Sequence, residues 1–347
     1  MRTIAFMTLL LLALPSAASW VPTGTMAYRR IGGTQIGVLL QDGRALFPAI
    51  GINSPTGGAA TYSPETGSWS ETGPMICGGQ AAVLLQDGKV LATGYPCHGF
   101  FSPSTDSWAQ AALSGTTYHS ATALDDGRVL IAGGSDGSVV YATTVIYDPI
   151  AGWGDGASML QAREHHTATK LADGRVLVTG GAMGTASTSA EIFDPMTNVW
   201  TLAANMSIAR ISHKAVLLTD GRVLVWGGSE SPVAEIFNPS TGVWTTTGNL
   251  LTIREDDFAT RLSDGRVLVG GGVLFGGGGY LSSADIFDPT TELWTSAGNM
   301  NSPRASAMAT LLNDGTVLVA GGITDEICDE ISCRPIYTDT AELFVPN

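Results

Sequence analysis

Short alternating or apolar segments, each bounded by a turn, run through the chain in a fixed order. His213 to Leu218 alternates and leads into Asp220-Gly221, a dipeptide suited to the positive φ angles of a tight hairpin turn. Arg222 to Trp226 is a short apolar run that ends in Gly227-Gly228. After a loop of variable length comes Ala234-Glu235-Ile236-Phe237, closed by the turn Asn238-Pro239-Ser240-Thr241-Gly242, and Trp244 then opens a fourth segment. The pattern predicts four strands per unit. Ala190 to Trp200 and Ala284 to Trp294 repeat the second half almost residue for residue, and Tyr62/Trp69, Phe101/Trp108 and Tyr147/Trp153 are looser versions.

Aligning the units on Asp-Gly gives starts at Asp42, Asp87, Asp126, Asp173, Asp220, Asp264 and Asp314, spaced by 45, 39, 47, 47, 44 and 50 residues. That is the period of a four-stranded propeller blade. Seven copies predict an all-β, seven-bladed β-propeller. The last unit stops at Ala341 to Asn347, before the turn and Trp that the other units have next, whereas Trp20-Val21-Pro22 precedes the first inner strand. Trp20 to about Thr25 is therefore predicted to supply the outermost strand of the final blade, so that the N-terminal strand pairs into the C-terminal blade and closes the ring.

An apolar run, a Gly pair and then spaced aromatics in every unit resemble the Kelch-repeat propeller family, and more specifically the central domain of galactose oxidase and its bacterial Kelch relatives. The resemblance covers essentially all of the chain after its first 19 residues. It implies a fold. One fold carries many functions, so the function must be read from a site.

Composition narrows the partners. The chain has 347 residues, 44 of them Gly, with 31 acidic against 17 basic side chains and a net charge of −14. An acidic surface argues against nucleic acid and anionic membranes. Met1-Arg2-Thr3, the apolar run Ile4 to Leu14 and the small residues Pro15 to Ser19 read as a secretory signal peptide over residues 1–19, leaving residues 20–347 as the propeller. The expectation is a secreted or periplasmic monomer with no membrane insertion. Four cysteines in an exported chain suggest two disulfides, paired here as Cys77 with Cys97 and Cys328 with Cys333.

Strand direction puts the Asp-Gly and Pro-containing turns on one uniform face and the variable loops on the other, where a site is to be sought. Those loops include Tyr95 to His98, the glycine run Gly276 to Gly279 with Tyr280, and the acidic stretch Thr324 to Thr338. Eight residues before the turn glycine lie Gln35, Gln80, His119, His166, His213, Asp257 and Ala307, one per blade. If His119, His166, His213 and Asp257 faced the axis they could hold a divalent metal; the alternative is a repeat residue bonded to its neighbours. Eleven residues before the glycine lie Arg163, Arg210, Arg254 and Arg304. As a cluster they would take a carboxylate or a phosphorylated group; alternatively each pairs with a loop carbonyl or with acids such as Glu164, Glu255 and Asp256.

Two fragments resemble the copper site of galactose oxidase: Tyr118-His119-Ser120 its ligand-bearing segment, and Cys77-Gly78-Gly79 the position of its cross-linking cysteine. The departures are larger. Phe101 stands where the cross-linking tyrosine would be, Cys97 offers Cys77 a disulfide partner, Cys77 and His119 fall in adjacent blades, and no later domain supplies the remaining histidine. Copper-radical oxidation is not expected, and no other catalytic motif is present. The sequence points to a binding module for a glycan or an extracellular protein, with no cofactor required. The alternatives are a sugar- or sugar-acid-acting enzyme at the channel mouth, using the Arg and His positions, or a structural surface scaffold.

Overall fold

The computed structural model describes residues 18–29, 37–48, 58–75, 79–113, 116–329 and 333–347. Within them the chain is all-β, arranged as seven four-stranded antiparallel sheets. Blade 5 shows the plan: Lys214–Leu217 lies innermost, then Val223–Trp226, Val233–Asn238 and Val243–Asn249 outward. The second strand of each blade is wholly buried, as in Val223–Trp226, because it is covered by its own blade's two neighbours and by the blades on either side.

The seventh blade is completed from the other end of the chain. Ser19–Thr23 pairs antiparallel with Ala341–Val345, matching Trp20 with Phe344, and stands outermost. Trp20 thereby takes the place the other outer-strand tryptophans occupy. Its ring lies 5.0 Å from Phe344, just as Trp200 lies 5.0 Å from Phe193 and Trp244 lies 5.0 Å from Phe237. Each indole also reaches the preceding blade: Trp20 Nε1 donates to Ala297 O, Trp200 Nε1 to Ala157 O and Trp244 Nε1 to Ala204 O. The tryptophans are thus inter-blade fasteners.

The Asp-Gly turns explain their own repetition. In all seven, the Asp Oδ1 accepts the backbone N–H two residues on, as in Asp220 with Arg222 at 3.0 Å, and the glycine takes a φ of 84–92°, which a side chain would strain. That residue, basic in six turns and Thr316 in the seventh, then returns to its own Asp. In four blades it also crosses to the next, with Arg266 Nη2 donating to Asn347 O at 3.3 Å. Arg44 Nη2 donates to Pro103 O, Arg128 Nη2 to Pro195 O and Arg222 Nη2 to Pro289 O, at 2.9, 2.9 and 3.1 Å. This face is a belt of short-range latches.

On the other face the acidic stretch folds as a hairpin, Ile323–Cys328 with Cys333–Tyr337, tied at its tip by the Cys328–Cys333 disulfide. Cys97 is also disulfide-bonded; its expected partner, Cys77, lies outside the described residues, as does Gln35. Among the described residues no helix is long and apolar enough to cross a membrane.

Candidate functional site

The four arginines are inside the protein, at 0–1% exposure. Arg163, Arg210, Arg254 and Arg304 each donate through Nη1 to the first glycine of the Gly-Gly pair, at Gly180, Gly227, Gly271 and Gly321, over 2.6–2.9 Å. Each also pairs with an acid of the third strand: Glu191 at 2.6 Å, Glu235 at 3.1 Å, Asp285 at 2.9 Å and Glu342 at 3.0 Å. The loop-carbonyl reading therefore describes the geometry, with different acids from Glu164, Glu255 and Asp256. A ligand-binding cluster of these arginines is corrected, because their donor forks are turned into the blade. The sequence did hold a signal. Blades 1 to 3 lack the arginine and have Ala60, Gly99 and Val145 in place of the acid, so the two charges occur only together.

The second ring is an inter-blade seam. His166 Nε2 lies 2.9 Å from Ser120 Oγ of the preceding blade, and His213 Nε2 lies 3.0 Å from Thr167 Oγ1 and 2.9 Å from Thr179 Oγ1. Asp257 Oδ2 instead accepts from Trp226 Nε1 at 3.0 Å, next to the positive charge of Lys214. The residue seven before the turn glycine in one blade thus sets the residue eight before it in the next: Ser120 and Thr167 face histidines, Lys214 faces Asp257, and Phe258 packs with Ala307. Where blade 2 offers only Ala81, His119 Nε2 is buried without a partner. Burial holds His119 at about 4 and His166 at about 3, and pushes the Asp257 carboxyl up.

His119, His166, His213 and Asp257 all border the central cavity, but no three of them bring ligand atoms within 4.8 Å of one another. The proposed metal set is corrected on that geometry. The one such group among the described residues is Glu326, Cys328 and Cys333, whose sulfurs are joined in the disulfide.

What the structure does converge is the position between these two registers. Nine residues before the turn glycine, Tyr118, His165, Ser212, Asp256 and Ser306 all adopt a left-handed backbone, with φ of 50–56°, and blade 2 has Gly79 there at 104°. Non-glycine residues pay about 1 kcal/mol or more for this conformation, and Asp, Ser and His tolerate it better than most. The bend turns the chain from loop to inner strand and links the blades. His165 N–H donates to Tyr118 O, Ser212 N–H to His165 O and Ser306 N–H to Asp256 O, at 3.1, 2.9 and 2.8 Å.

All five side chains line one cavity of about 490 Å³ at the centre of the ring. Tyr118 and His165 stack with ring centroids 3.8 Å apart, and His165 Nδ1 lies 3.1 Å from Ser212 Oγ. Burial lowers the His165 pKa, partly offset by Glu164 and Asp256. On the rim, the Tyr280 phenol is pushed up by burial and by Glu326, Asp325, Tyr337 and Asp256, which places the glycine-run loop beside the acidic hairpin. The sequence reading passed over this register because its residue types differ from blade to blade.

The Kelch motif matches residues 171–207 and 257–301, in the fourth and sixth blades. The described residues form a seven-bladed β-propeller that carries a Kelch motif in two of its blades. Among solved structures this propeller is similar to a fungal alcohol oxidase of the AA5 family in complex with copper, at 15% identity and a TM-score of 0.52, over 95% of this chain and 77% of that one. At that identity the likeness is one of fold. Here Phe101, 0% exposed, packs at 5.2 Å on Trp108 and offers no phenol. No curated protein sequence matches the chain.

Proposed function

We propose that this Kelch propeller is an exported binding module that takes a saccharide at the channel mouth. The observation that carries this reading is the convergence of Tyr118, His165, Ser212, Asp256 and Ser306 on one concave cavity. A cavity of about 490 Å³ suits a small ligand rather than a protein surface, which would seek a flatter patch. An aromatic stack offers a face or edge to the apolar side of a sugar ring, and the adjoining imidazole, hydroxyls and carboxylate answer its hydroxyl groups in both donor and acceptor senses. The enzymatic alternative loses its anchors, since Arg163, Arg210, Arg254 and Arg304 are consumed inside the blades.

Calorimetric titration of the mature protein with a panel of neutral and acidic monosaccharides and disaccharides tests the reading. Binding is expected in the wild type and at least about tenfold weaker in Tyr118→Ala, which removes the stack. Absence of saccharide binding, or affinity indifferent to Tyr118, overturns it; release of a product during the titration would favour the enzyme instead.

A further inference from the structure

Among the described residues, Lys214 is the one lysine or arginine on the cavity wall. It opens the inner strand Lys214–Leu217, two residues past Ser212, and is half-buried. Among the described residues its ammonium has neither an ion pair nor a hydrogen bond, although it lies within electrostatic reach of Asp257 and His213. The blades on one side show what this position ordinarily does: Ser120 and Thr167 are each engaged by the histidine of the next blade. Lys214 meets Asp257 instead, and Asp257 gives its Oδ2 to Trp226.

The charge on Lys214 is therefore left for whatever fills the cavity. Burial favours the neutral form of Asp257, and the imidazoles of His119, His166 and His213 are held neutral by the same cause, so none of them supplies a rival cation. Two acids share the wall among the described residues: Asp257, bonded to Trp226, and the exposed Asp256. The remaining wall is uncharged, with hydroxyls from Thr167, Thr260 and Thr310 beside the apolar Val216, Phe258 and Met308. A ligand anion is thus repelled by Asp256 and attracted by Lys214, which stands two register positions deeper on the neighbouring inner strand, about 7 Å by strand rise. That is the reach of one pyranose ring carrying a substituent.

We propose that the saccharide bound at the channel mouth is a hexuronic acid, with its carboxylate on the Lys214 ammonium and its ring against the Tyr118–His165 stack. The carboxylate chemistry expected of the four buried arginines falls to this single lysine. The proposal rests on the reading of the mouth as a saccharide site and adds the charge of the ligand to it.

Potassium galacturonate and galactose, titrated into the mature protein at low and high salt, separate the two. The acid is expected to bind about tenfold or more tightly than the neutral sugar, with the difference shrinking as salt screens the pair. Lys214→Met should abolish the preference for the acid over the neutral sugar, and Lys214→Arg should restore most of it. Equal affinity for acid and neutral sugar, or a preference that survives Lys214→Met, overturns the proposal and leaves the saccharide reading standing. Failure of both sugars to bind overturns both.

Discussion

His166 Nε2 rests 2.9 Å from Ser120 Oγ, a bond from one blade to the one before it. It belongs to a seam in which one residue of each inner strand is matched to its neighbour's. The matching makes the seam testable at both a filled and an empty position.

Ser120→Ala leaves a second buried imidazole nitrogen on His166, whose Nδ1 already lacks a partner, and is expected to cost about 1–3 kcal/mol. Ala81→Ser should do the reverse, offering the orphaned His119 Nε2 a hydroxyl and adding about 0.5–1.5 kcal/mol. Urea unfolding of the two variants reads both signs. A neutral Ser120→Ala would remove the seam from the list of what holds the ring together.

Arg210 is enclosed with Glu235, and burial lowers the guanidinium's own affinity for its proton while Glu235 opposes that shift. Arg210→Met strips one partner and leaves Glu235 buried, 1% exposed, with an expected loss of about 3–5 kcal/mol. Replacing both with apolar residues, Arg210→Met with Glu235→Leu, should recover much of it. Thermal melts of the single and double variants check the ordering, which a ligand-binding arginine at the surface would not show.

Acid should loosen the ring in a defined window. Burial holds His98 and His119 at about 4 and His166 at about 3, against 6.5 for an unhindered imidazole, and keeps His213 well below that value. Between about pH 6.5 and 4 the unfolded chain binds protons that the folded chain refuses, so stability is full above 6.5 and declines as pH falls toward the folded values. Asp257 acts in the opposite sense: its carboxyl is raised from 3.8 by burial, so its contribution is greatest below 3.8 and is lost as pH rises through the raised value. With His165 also lowered, five histidines stand against three raised carboxyls, Asp257, Asp285 and Glu255, and predict a lower urea midpoint at pH 4.5 than at pH 7.5. A midpoint that held or rose on acidification would contradict this account.

Trp20 anchors the last blade through Phe344, Phe258 and Ala297 O. Trp20→Ala is expected to cost about 2–3 kcal/mol, below a full core truncation because the ring is only half-buried. Deleting residues 19–23 should cost more, since it also bares the edge of Ala341–Val345. Light scattering of the deleted form is expected to show association through that edge; a monodisperse, equally stable product would argue against it.

The fold was legible in the chain because a propeller is built from local pieces. A hairpin turn, an apolar strand, a glycine pair and an aromatic pair each depend on residues within about a dozen positions, and seven repeats make the pattern unmistakable. Trp20 could be placed for the same reason, as the one piece missing from the last unit. Trp226, by contrast, takes its place from contacts across a seam, its indole donating to Asp257 at 3.0 Å and packing edge-on against Trp294 at 6.1 Å.

Blade count, strand order and the registers at which polar residues recur are all written in the chain. Where each register points is settled by how neighbouring blades meet. His166 and Arg163 lie three residues apart at repeat positions that look equally able to face the axis, yet one is taken by Ser120 and the other by Gly180 and Glu191. His165, one position from His166, reaches the cavity through its left-handed backbone. The physical reason is that a side chain's direction at the strand entry depends on a single φ angle and on which neighbouring blade offers a partner, and neither is written in the spacing of residues along one chain.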